Sequence, residues 1–409
     1  MVSSPIDAGG DILPSQPEFR GRNLALIGRM IWHVIVLGGD RLIRVGVIGA
    51  GKMGLSHLAI LGAHPDVELV GVCDSLGYLL DVLEKYTGVR KFSDAAHLFD
   101  EQPDAVLIAT PSASHVALVG EALARGIHVF CEKPLTLSAA ESTALADAAA
   151  NAGLVTQVGY HNRFVGTFRE VKRLLDLQAI GRVTHVLAEA YGPVVLRPKG
   201  ETWRSKRVAG GGALYDYAAH PLDLLCWYLG EPETVTGAVL ARDFSAETDD
   251  EVYGTLNYAG ATSAQLSVNW SDESYRKMTT KMTVWGERGK INADRQELEV
   301  YLRDTAEVPE GYRVGWNSVN TTTLTPPVWF YLRGEEYSAQ IDHFVRSVAA
   351  SKSDSSAVAR VNDFASAAAT DRTIERFLRE PSGDDHQRQA EPANHHDRRL
   401  FGRARKGHR

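Results

Sequence analysis

Cysteine is scarce in this sequence, and the few cysteines form no recognisable pattern. The 409 residues contain three, Cys73, Cys131 and Cys226, without a C-x-x-C pair. An odd, widely spaced set in a chain of this length is not a disulfide framework, and it contains no zinc or redox motif. Cys73 and Cys131 each end an apolar run, so we expect small buried side chains there. We expect no metal site, even at His395 and His396 in the polar C-terminal stretch.

The sequence also lacks an excess of basic charge and a long uninterrupted apolar run. Its formal net charge is −7, whereas a protein that binds duplex nucleic acid is expected to be strongly basic. The apolar stretch at residues 24–37 is interrupted by Arg29 and His33. It is too short to cross a bilayer and lacks the features of a signal peptide. We therefore expect no nucleic-acid partner, no membrane association and a cytoplasmic location.

What the sequence does contain, from residue 42 onward, is an alternation of apolar runs and helical patterns. The runs are nearly continuous in apolar residues, as expected of strands covered by helices on both faces. This alternation indicates βαβ units and a parallel sheet, so the first part of the chain is predicted to have an α/β fold. The predicted strands are Leu42–Gly49, Val67–Asp74, Asp104–Thr110, Ile127–Lys133 and Leu154–Tyr160.

The pattern changes after about residue 180. Alternating strand-like segments dominate there, interrupted by one clear helix at Ala213–Gly230, and helices at Glu335–Ala350 and Phe364–Glu380 follow. Such alternation favours an antiparallel sheet with one face less buried. We predict an α+β domain with a large, mostly antiparallel open sheet over residues 161–380, whose last helices can pack back on the first domain. Residues 1–40 are expected to be an N-terminal extension, and residues 381–409 a disordered tail.

A glycine-rich turn joins the first predicted strand to the first predicted helix. Its sequence, GAGKMG, has the pattern G-x-G-x-x-G. Gly49 permits the tight turn, Gly51 lets a pyrophosphate approach the backbone, and Gly54 lets the helix pack on the strand. The N-terminus of the helix then faces the phosphates. The residues predicted to contact a dinucleotide here are Gly49, Gly51, Lys52, Met53 and Gly54.

The end of the second predicted strand bears on the choice of cofactor. Asp74 lies 20 residues after Gly54, where an acidic side chain is expected to accept hydrogen bonds from the adenine ribose hydroxyls. A carboxylate repels a 2′-phosphate, and the next residue is Ser75 rather than arginine, so NAD is predicted to be preferred over NADP, with Asp74 and Ser75 as cofactor contacts. Asp74 can also cap the following helix. Residues 41–160 are therefore predicted to be a Rossmann NAD-binding domain.

Further motifs follow the glycine-rich turn. They are Ala-Thr-Pro at 109–111 with His115, Glu-Lys-Pro at 132–134, Gln157 with Tyr160 and Arg163-Phe164, Trp203-Arg204, and the segment Gly210–Asp223. In this combination the chain resembles the Gfo/Idh/MocA family, which includes glucose–fructose oxidoreductase and inositol dehydrogenase. The resemblance covers residues 42 to 380. Together with the position of strand ends at the ligand-binding edge of the sheet, it implies cofactor contacts at Thr110, Pro111, His115, Glu132, Lys133, Gln157, Trp203 and Arg204.

In that family, the lysine of Glu-Lys-Pro and both members of an Asp-x-x-x-His pair line the substrate pocket. The resemblance places these roles at Lys133, Asp216 and His220. Asp216 and His220 are four residues apart on a predicted helix, so they share a face. Our hypothesis makes His220 the general base, while Asp216 orients substrate hydroxyls and Lys133 polarises the substrate oxygen. Tyr160 and Arg163 are predicted to be further substrate contacts.

The resemblance implies an NAD-dependent oxidoreductase that transfers a hydride between nicotinamide and a secondary alcohol carbon of a sugar, cyclitol or nucleotide sugar. Three alternatives stay open: a glycoside hydrolase with tightly held NAD, a sugar transhydrogenase with tightly held NAD, and a non-catalytic sugar sensor. Retention of Lys133, Asp216 and His220 argues against the sensor. The family commonly assembles through its open sheet, so we expect a homodimer or homotetramer.

Overall fold

The computed structural model describes residues 42–195, 203–352 and 360–379. The predictions for residues 1–40 and 381–409 lie outside these ranges. Within them, none of the helices combines the length and the apolar character that a membrane span requires.

The first sheet is parallel and has six strands, whose order in the sheet departs from their order in the chain. They are β1 (Ile43–Ile48), β2 (Val67–Cys73), β3 (Lys91–Phe92), β4 (Ala105–Ile108), β5 (His128–Cys131) and β6 (Thr156–Val158). The spatial order is β3-β2-β1-β4-β5-β6, so the direction of winding reverses between β1 and β4. Ligands of doubly wound sheets bind in the crevice at that point, outside the carboxyl ends of the strands. The predicted α/β fold is confirmed, with slightly shorter strands than the sequence suggested.

Helices cover both faces of this sheet, which is why its central strands are mostly apolar. Val45 and Val47 of β1 and Val106 of β4 are completely buried. Apolar side chains of the helices face the sheet and are buried, as are Leu58 and Leu61 in the first helix. The helices of this part are α1 (Lys52–Gly62), α2 (Gly77–Thr87), α3 (Ala95–Asp100), α4 (His115–Ala124) and α5 (Ala139–Asn151).

The second sheet has eight strands. They are β7 (Val183–Tyr191), β8 (Thr234–Ala241), β9 (Glu251–Asn257), β10 (Ser263–Asn269), β11 (Lys281–Gly286), β12 (Gly289–Ala293), β13 (Glu297–Leu302) and β14 (Gly315–Asn320). The order is β14-β13-β12-β11-β7-β10-β9-β8, and only the β7–β10 pair is parallel. The expected large, mostly antiparallel sheet is confirmed. One face is buried, as the alternation of exposed and buried side chains along β13 shows.

The remaining helices pack around this sheet and against the first part of the chain. They are α6 (Gly166–Asp176), α7 (Ala219–Leu229), α8 (Thr321–Leu324), α9 (Glu335–Ser351) and α10 (Phe364–Arg379). α10 lies against α5, where the Ser142 hydroxyl donates to Asp371 at 2.6 Å.

The sequence predicted a single helix at Ala213–Gly230, and this is wrong at its start. A π-helical turn at Leu214–Ala218 precedes α7. The Asp249 carboxylate accepts a hydrogen bond from the Leu214 N–H, and its main-chain oxygen accepts one from Ala213. These bonds hold the first turn, and the wider turn carries Asp216 into the site described next.

Candidate active site

One cleft of about 1840 Å³ collects residues from both parts of the fold. The glycine-rich turn, the carboxyl ends of β5 and β6, the π-turn and the start of α9 all reach it. The residues of the cleft that matter below are Lys52, Met53, Glu132, Lys133, His161, Arg204, Asp216, His220, Arg295, Arg333, Glu336 and Tyr337.

The glycine-rich turn has the shape that a dinucleotide pyrophosphate needs. Gly49 has φ +97°, and a Cβ atom there would lie 2.7 Å from the carbonyl carbon of Ala109. A Cβ atom on Gly54 would lie 1.8 Å from the Gly49 oxygen, whereas one on Gly51 would meet nothing within 4 Å. Gly49 and Gly54 thus allow close packing, and Gly51 leaves open space at the N-terminus of α1. The residues present therefore fit an NAD pyrophosphate.

Asp74 closes this turn from the end of β2. Its Oδ2 atom accepts a hydrogen bond from the Ala50 N–H at 2.6 Å, and its Oδ1 atom accepts one from the Leu76 N–H at 2.8 Å. It does not cap α2, which begins at Gly77 without a side-chain cap. Asp74 is half-buried and Ser75 is exposed. The carboxylate is thus fixed at the sheet edge.

Lys133, Arg204 and Asp216 meet in a single cluster. Lys133 Nζ donates to Asp216 Oδ1 and to the Asp216 main-chain oxygen, both at 2.8 Å. Arg204 Nε donates to Asp216 Oδ2, also at 2.8 Å. Burial alone would raise the pKa of Asp216, but the charges of Lys133 and Arg204 outweigh it and lower the pKa to about 2. The carboxylate is therefore charged under all ordinary conditions.

Glu132 and His57 form a pair of side chains next to Lys133. The His57 Nε2 atom lies 2.6 Å from Glu132 Oε1, and Glu132 Oε2 accepts a hydrogen bond from the Lys133 N–H. Burial opposes the charge on Glu132, but His57 and Lys133 together hold the pKa of this carboxyl below its usual range. The Glu-Lys-Pro segment is therefore anchored to α1, next to the glycine-rich turn.

His220 lies in the cleft beside a second imidazole, that of His161. Their ring centroids are 4.8 Å apart, and His161 also stacks on Tyr337 at 4.7 Å. Burial lowers the pKa of His220 well below its usual value, and the charges of Lys133 and Arg295 lower it further. His220 is thus a neutral imidazole near neutrality, as a general base must be.

Several predicted contacts lie behind the cleft instead of lining it. Arg163 is buried and makes a two-pronged ion pair with Asp223, at 2.9 and 2.6 Å. The Gln157 amide donates to the main-chain oxygen of Gln340 at 2.8 Å. Tyr160 is buried with its ring edge-on to His220.

His115 also lies behind the cleft. Its imidazole nitrogens lie 3.0–3.1 Å from the main-chain oxygens of Thr110, Pro134 and Leu135. It therefore ties the end of β4 to the Glu-Lys-Pro segment. The Arg204 guanidinium lies over the Trp203 ring, 4.7 Å from the ring centre. The Trp203 side chain is partly exposed.

Sequence reasoning missed His161, Arg295 and Tyr337. A usable signal existed for His161, because it follows Tyr160 at the carboxyl end of β6, where ligand-contacting residues are expected. Arg295 and Tyr337 come from the β12–β13 connection and from α9. Neither belongs to a motif, and only the fold brings them to the cleft.

Two family models match this chain. Residues 43–160 match the oxidoreductase family with an NAD-binding Rossmann fold, and residues 168–292 match the Gfo/Idh/MocA C-terminal domain. The chain belongs to the Gfo/Idh/MocA family. The resemblance inferred from the sequence motifs is thus confirmed, and the chain is a member of an oxidoreductase family.

Among curated Gfo/Idh/MocA relatives, glucose-6-phosphate 3-dehydrogenase of Bacillus subtilis (strain 168) is 28% identical over 52% of this chain and 64% of its own length. The scyllo-inositol 2-dehydrogenase (NAD(+)) of the same organism is 30% identical over 53% of this chain and 62% of its own length. The chain thus spans just under two thirds of these relatives. A crystal structure of GenD2 from gentamicin A biosynthesis in complex with NAD is 28% identical, with a TM-score of 0.67, over 84% of this chain and 95% of that one.

Proposed function

We propose that this protein is an NAD-dependent dehydrogenase that oxidises a secondary alcohol of a cyclic polyol, namely a sugar, cyclitol or nucleotide sugar, or reduces the matching ketone. The observation that carries the proposal is the convergence of Lys133, Asp216 and His220 in a cleft that begins at a dinucleotide-binding turn. Both curated relatives described above are named as dehydrogenases of such alcohols.

The proposed roles follow from the charges of the three side chains. During oxidation the substrate carbon loses a hydride, its hydroxyl loses a proton, and a carbonyl forms. NAD supplies the hydride acceptor. Neutral His220 takes the hydroxyl proton, while the Lys133 ammonium stabilises the negative charge that develops on the oxygen. Asp216 keeps the ammonium in place and offers its carboxylate to substrate hydroxyls.

A preference for NAD over NADP is part of the proposal. The Asp74 carboxylate is fixed by two main-chain N–H groups at the end of β2. A 2′-phosphate bound at this strand end would meet the fixed carboxylate, and Ser75 would offer it no compensating positive charge. Ribose hydroxyls can donate to the same oxygens. We propose that Lys52, Met53, Glu132 and Arg204 add contacts to the cofactor from the walls of the cleft.

The proposal is tested by following NADH absorbance with purified protein, NAD or NADP, and a panel of inositols, aldoses, uronates and nucleotide sugars. We expect at least one panel member to reduce NAD, and to do so far better than NADP. His220→Ala should lose most of this rate, whereas His97→Ala, at an exposed position on α3, should keep it. A panel without any NADH formation, or full activity in His220→Ala, would contradict the proposal.

A further inference from the structure

The imidazole of His161 borders the cleft but has no role in the proposed mechanism. It opens the short helical turn His161–Phe164 after β6, and it is only 5% exposed although it borders the cleft. A buried histidine is usually held by hydrogen bonds to protein groups. Among the described residues, none forms a hydrogen bond with His161 Nε2.

His220 also has a ring nitrogen without a protein partner in the described part of the chain. This nitrogen is its Nδ1 atom, which is buried. The two rings are 4.8 Å apart and inclined by 67°, so they form adjacent walls of one corner of the cleft. Both rings therefore keep hydrogen-bonding capacity that the protein itself leaves unused.

The surroundings keep His161 in position and uncharged. Tyr337 stacks on its ring with an interplanar angle of 19°, and the Arg333 guanidinium covers Tyr337 at 5.3 Å. Burial lowers the pKa of His161 well below its usual value, and nearby His220, Arg295 and Lys133 lower it further. A neutral imidazole has one donor and one acceptor, which suits a hydroxyl group, since that group also donates and accepts.

We propose that His161 is a specificity-determining residue that binds the hydroxyl on the carbon next to the oxidised one, so that the site selects vicinal diols. His220 accepts the proton of the reacting hydroxyl, and His161 forms hydrogen bonds with the hydroxyl on the adjacent carbon. Because the two rings form one corner of the cleft, each can form a hydrogen bond with one of two hydroxyls on adjacent carbons. This inference rests on the proposed function, because it assigns the neighbouring hydroxyl relative to the carbon that His220 serves.

Two substitutions separate hydrogen bonding from ring packing. His161→Phe keeps an aromatic ring against Tyr337 and removes the hydrogen-bonding nitrogens, whereas His161→Gln keeps a donor and an acceptor. His97→Phe, on the exposed surface of α3, is the matched control. The probes are D-glucose and its 2-deoxy, 3-deoxy and 4-deoxy derivatives, each titrated calorimetrically into protein loaded with NADH. For any probe that is oxidised with NAD, kcat and KM are measured as well.

In the wild type and in His97→Phe, loss of the recognised hydroxyl should weaken binding by roughly tenfold to a hundredfold, because it leaves a buried imidazole unpaired. In His161→Phe, glucose and that deoxy sugar should bind alike. His161→Gln should restore part of the difference.

The inference is overturned if wild-type protein binds glucose and all three deoxy sugars within twofold of each other, or if His161→Phe keeps the wild-type difference. Because binding to NADH-loaded protein needs no turnover, this outcome is distinct from failure of the proposed function, which is the absence of NADH formation.

Discussion

The Nζ atom of Lys133 lies 2.8 Å from both the Oδ1 atom and the main-chain oxygen of Asp216. Lys133 follows a strand of the parallel sheet, whereas Asp216 belongs to the π-turn that packs against the second sheet. The side chains are 12% and 9% exposed, so the pair is well shielded from solvent. This contact joins the residue after β5 to the π-turn that precedes α7.

Replacement of Lys133 by Met should remove most of the activity while the cofactor still binds. In the proposed mechanism the ammonium stabilises the developing negative charge, and loss of one such group lowers kcat by about 10²–10³. Steady-state kinetics and NADH fluorescence titration measure the two effects. Lys172→Met, at a lysine that pairs with Asp176 on the surface of α6, should leave both unchanged. Near-normal kcat in Lys133→Met would remove Lys133 from the mechanism.

The pH profile of kcat/KM should show the lowered pKa of His220. As the proposed base, His220 is active when neutral, and burial together with the charges of Lys133 and Arg295 favours the neutral form. Activity should therefore be independent of His220 ionisation near neutrality and fall only at a pH well below 6.5, the ordinary value for histidine. Arg295→Gln removes one of the charges, so the pKa of His220 should rise and the acid limb should move to higher pH.

The control for this shift is Arg295→Lys, which keeps the positive charge beside Glu336, the ion-pair partner of Arg295. Its acid limb should stay near that of the wild type. The assignment of His220 as the base fails if the limb lies in the same place for Arg295→Gln and Arg295→Lys.

Arg163 and Asp223 form a buried ion pair. We expect substitution of Arg163 to lower the stability of the fold and to have little effect on substrate binding. The two side chains of the pair are 5% and 1% exposed. Arg163→Met leaves the Asp223 carboxylate buried without its partner, which should cost about 3–5 kcal/mol in the free energy of unfolding. Replacing both residues, as Arg163→Met with Asp223→Leu, should recover much of that loss.

Urea unfolding of the two variants and the wild type, followed by circular dichroism, measures these changes. KM of the Arg163→Met variant, determined at a temperature where it is folded, should change little, because the guanidinium does not border the cleft. A large rise in KM without loss of stability would instead make Arg163 a substrate contact.

The sequence was sufficient for five of the six strands of the first sheet, because their signals are local, whereas the two-residue strand β3 was not predicted. Continuous apolar strands, the GAGKMG turn and Asp74 at a strand end each follow from a few neighbouring residues. The expected grouping of Lys133 with Asp216 came from the family resemblance, and the structure brings these side chains together.

The parts that sequence reasoning missed depend on contacts between distant residues. Strand β13 has a clear alternating pattern that the sequence prediction did not include. Half of the residues of edge strand β14 are polar, so its pairing with β13 becomes evident only in the folded sheet. The π-turn depends on Asp249, far along the chain. His161 and Tyr337 stack although they are remote in sequence, and no periodicity reveals such a contact.

Asp371 should make the stability of the fold depend on pH. The Ser142 hydroxyl donates to its Oδ2 atom, while Oδ1 has no hydrogen-bond partner among the described residues. Burial raises the pKa of Asp371 from 3.8 to about 7. At a pH between 3.8 and about 7, the Asp371 carboxyl is protonated in the folded protein but ionised in the unfolded chain. The free energy of unfolding therefore falls as the pH rises from 3.8 to about 7, and it levels off above that pH.

The variant Asp371→Asn cannot titrate, so its melting temperature should decline less over that interval than the wild-type value. Thermal unfolding at a series of pH values gives both curves. Asp100→Asn, at an exposed carboxyl of α3, should follow the wild type. Parallel curves for Asp371→Asn and the wild type would show that this carboxyl does not carry the dependence.

In the proposed reaction a hydride passes from a substrate carbon to NAD, which then leaves the protein as NADH. The most direct test uses D-glucose and myo-inositol deuterated at every carbon, together with the panel substrate of highest rate in the same form, and mass spectrometry of the released cofactor. We predict NADH that carries a single deuterium, formed in step with the ketone product and lost in His220→Ala. Unlabelled cofactor, or labelled cofactor that appears only after the protein is denatured, would rule out a dehydrogenase that releases NADH at each turnover.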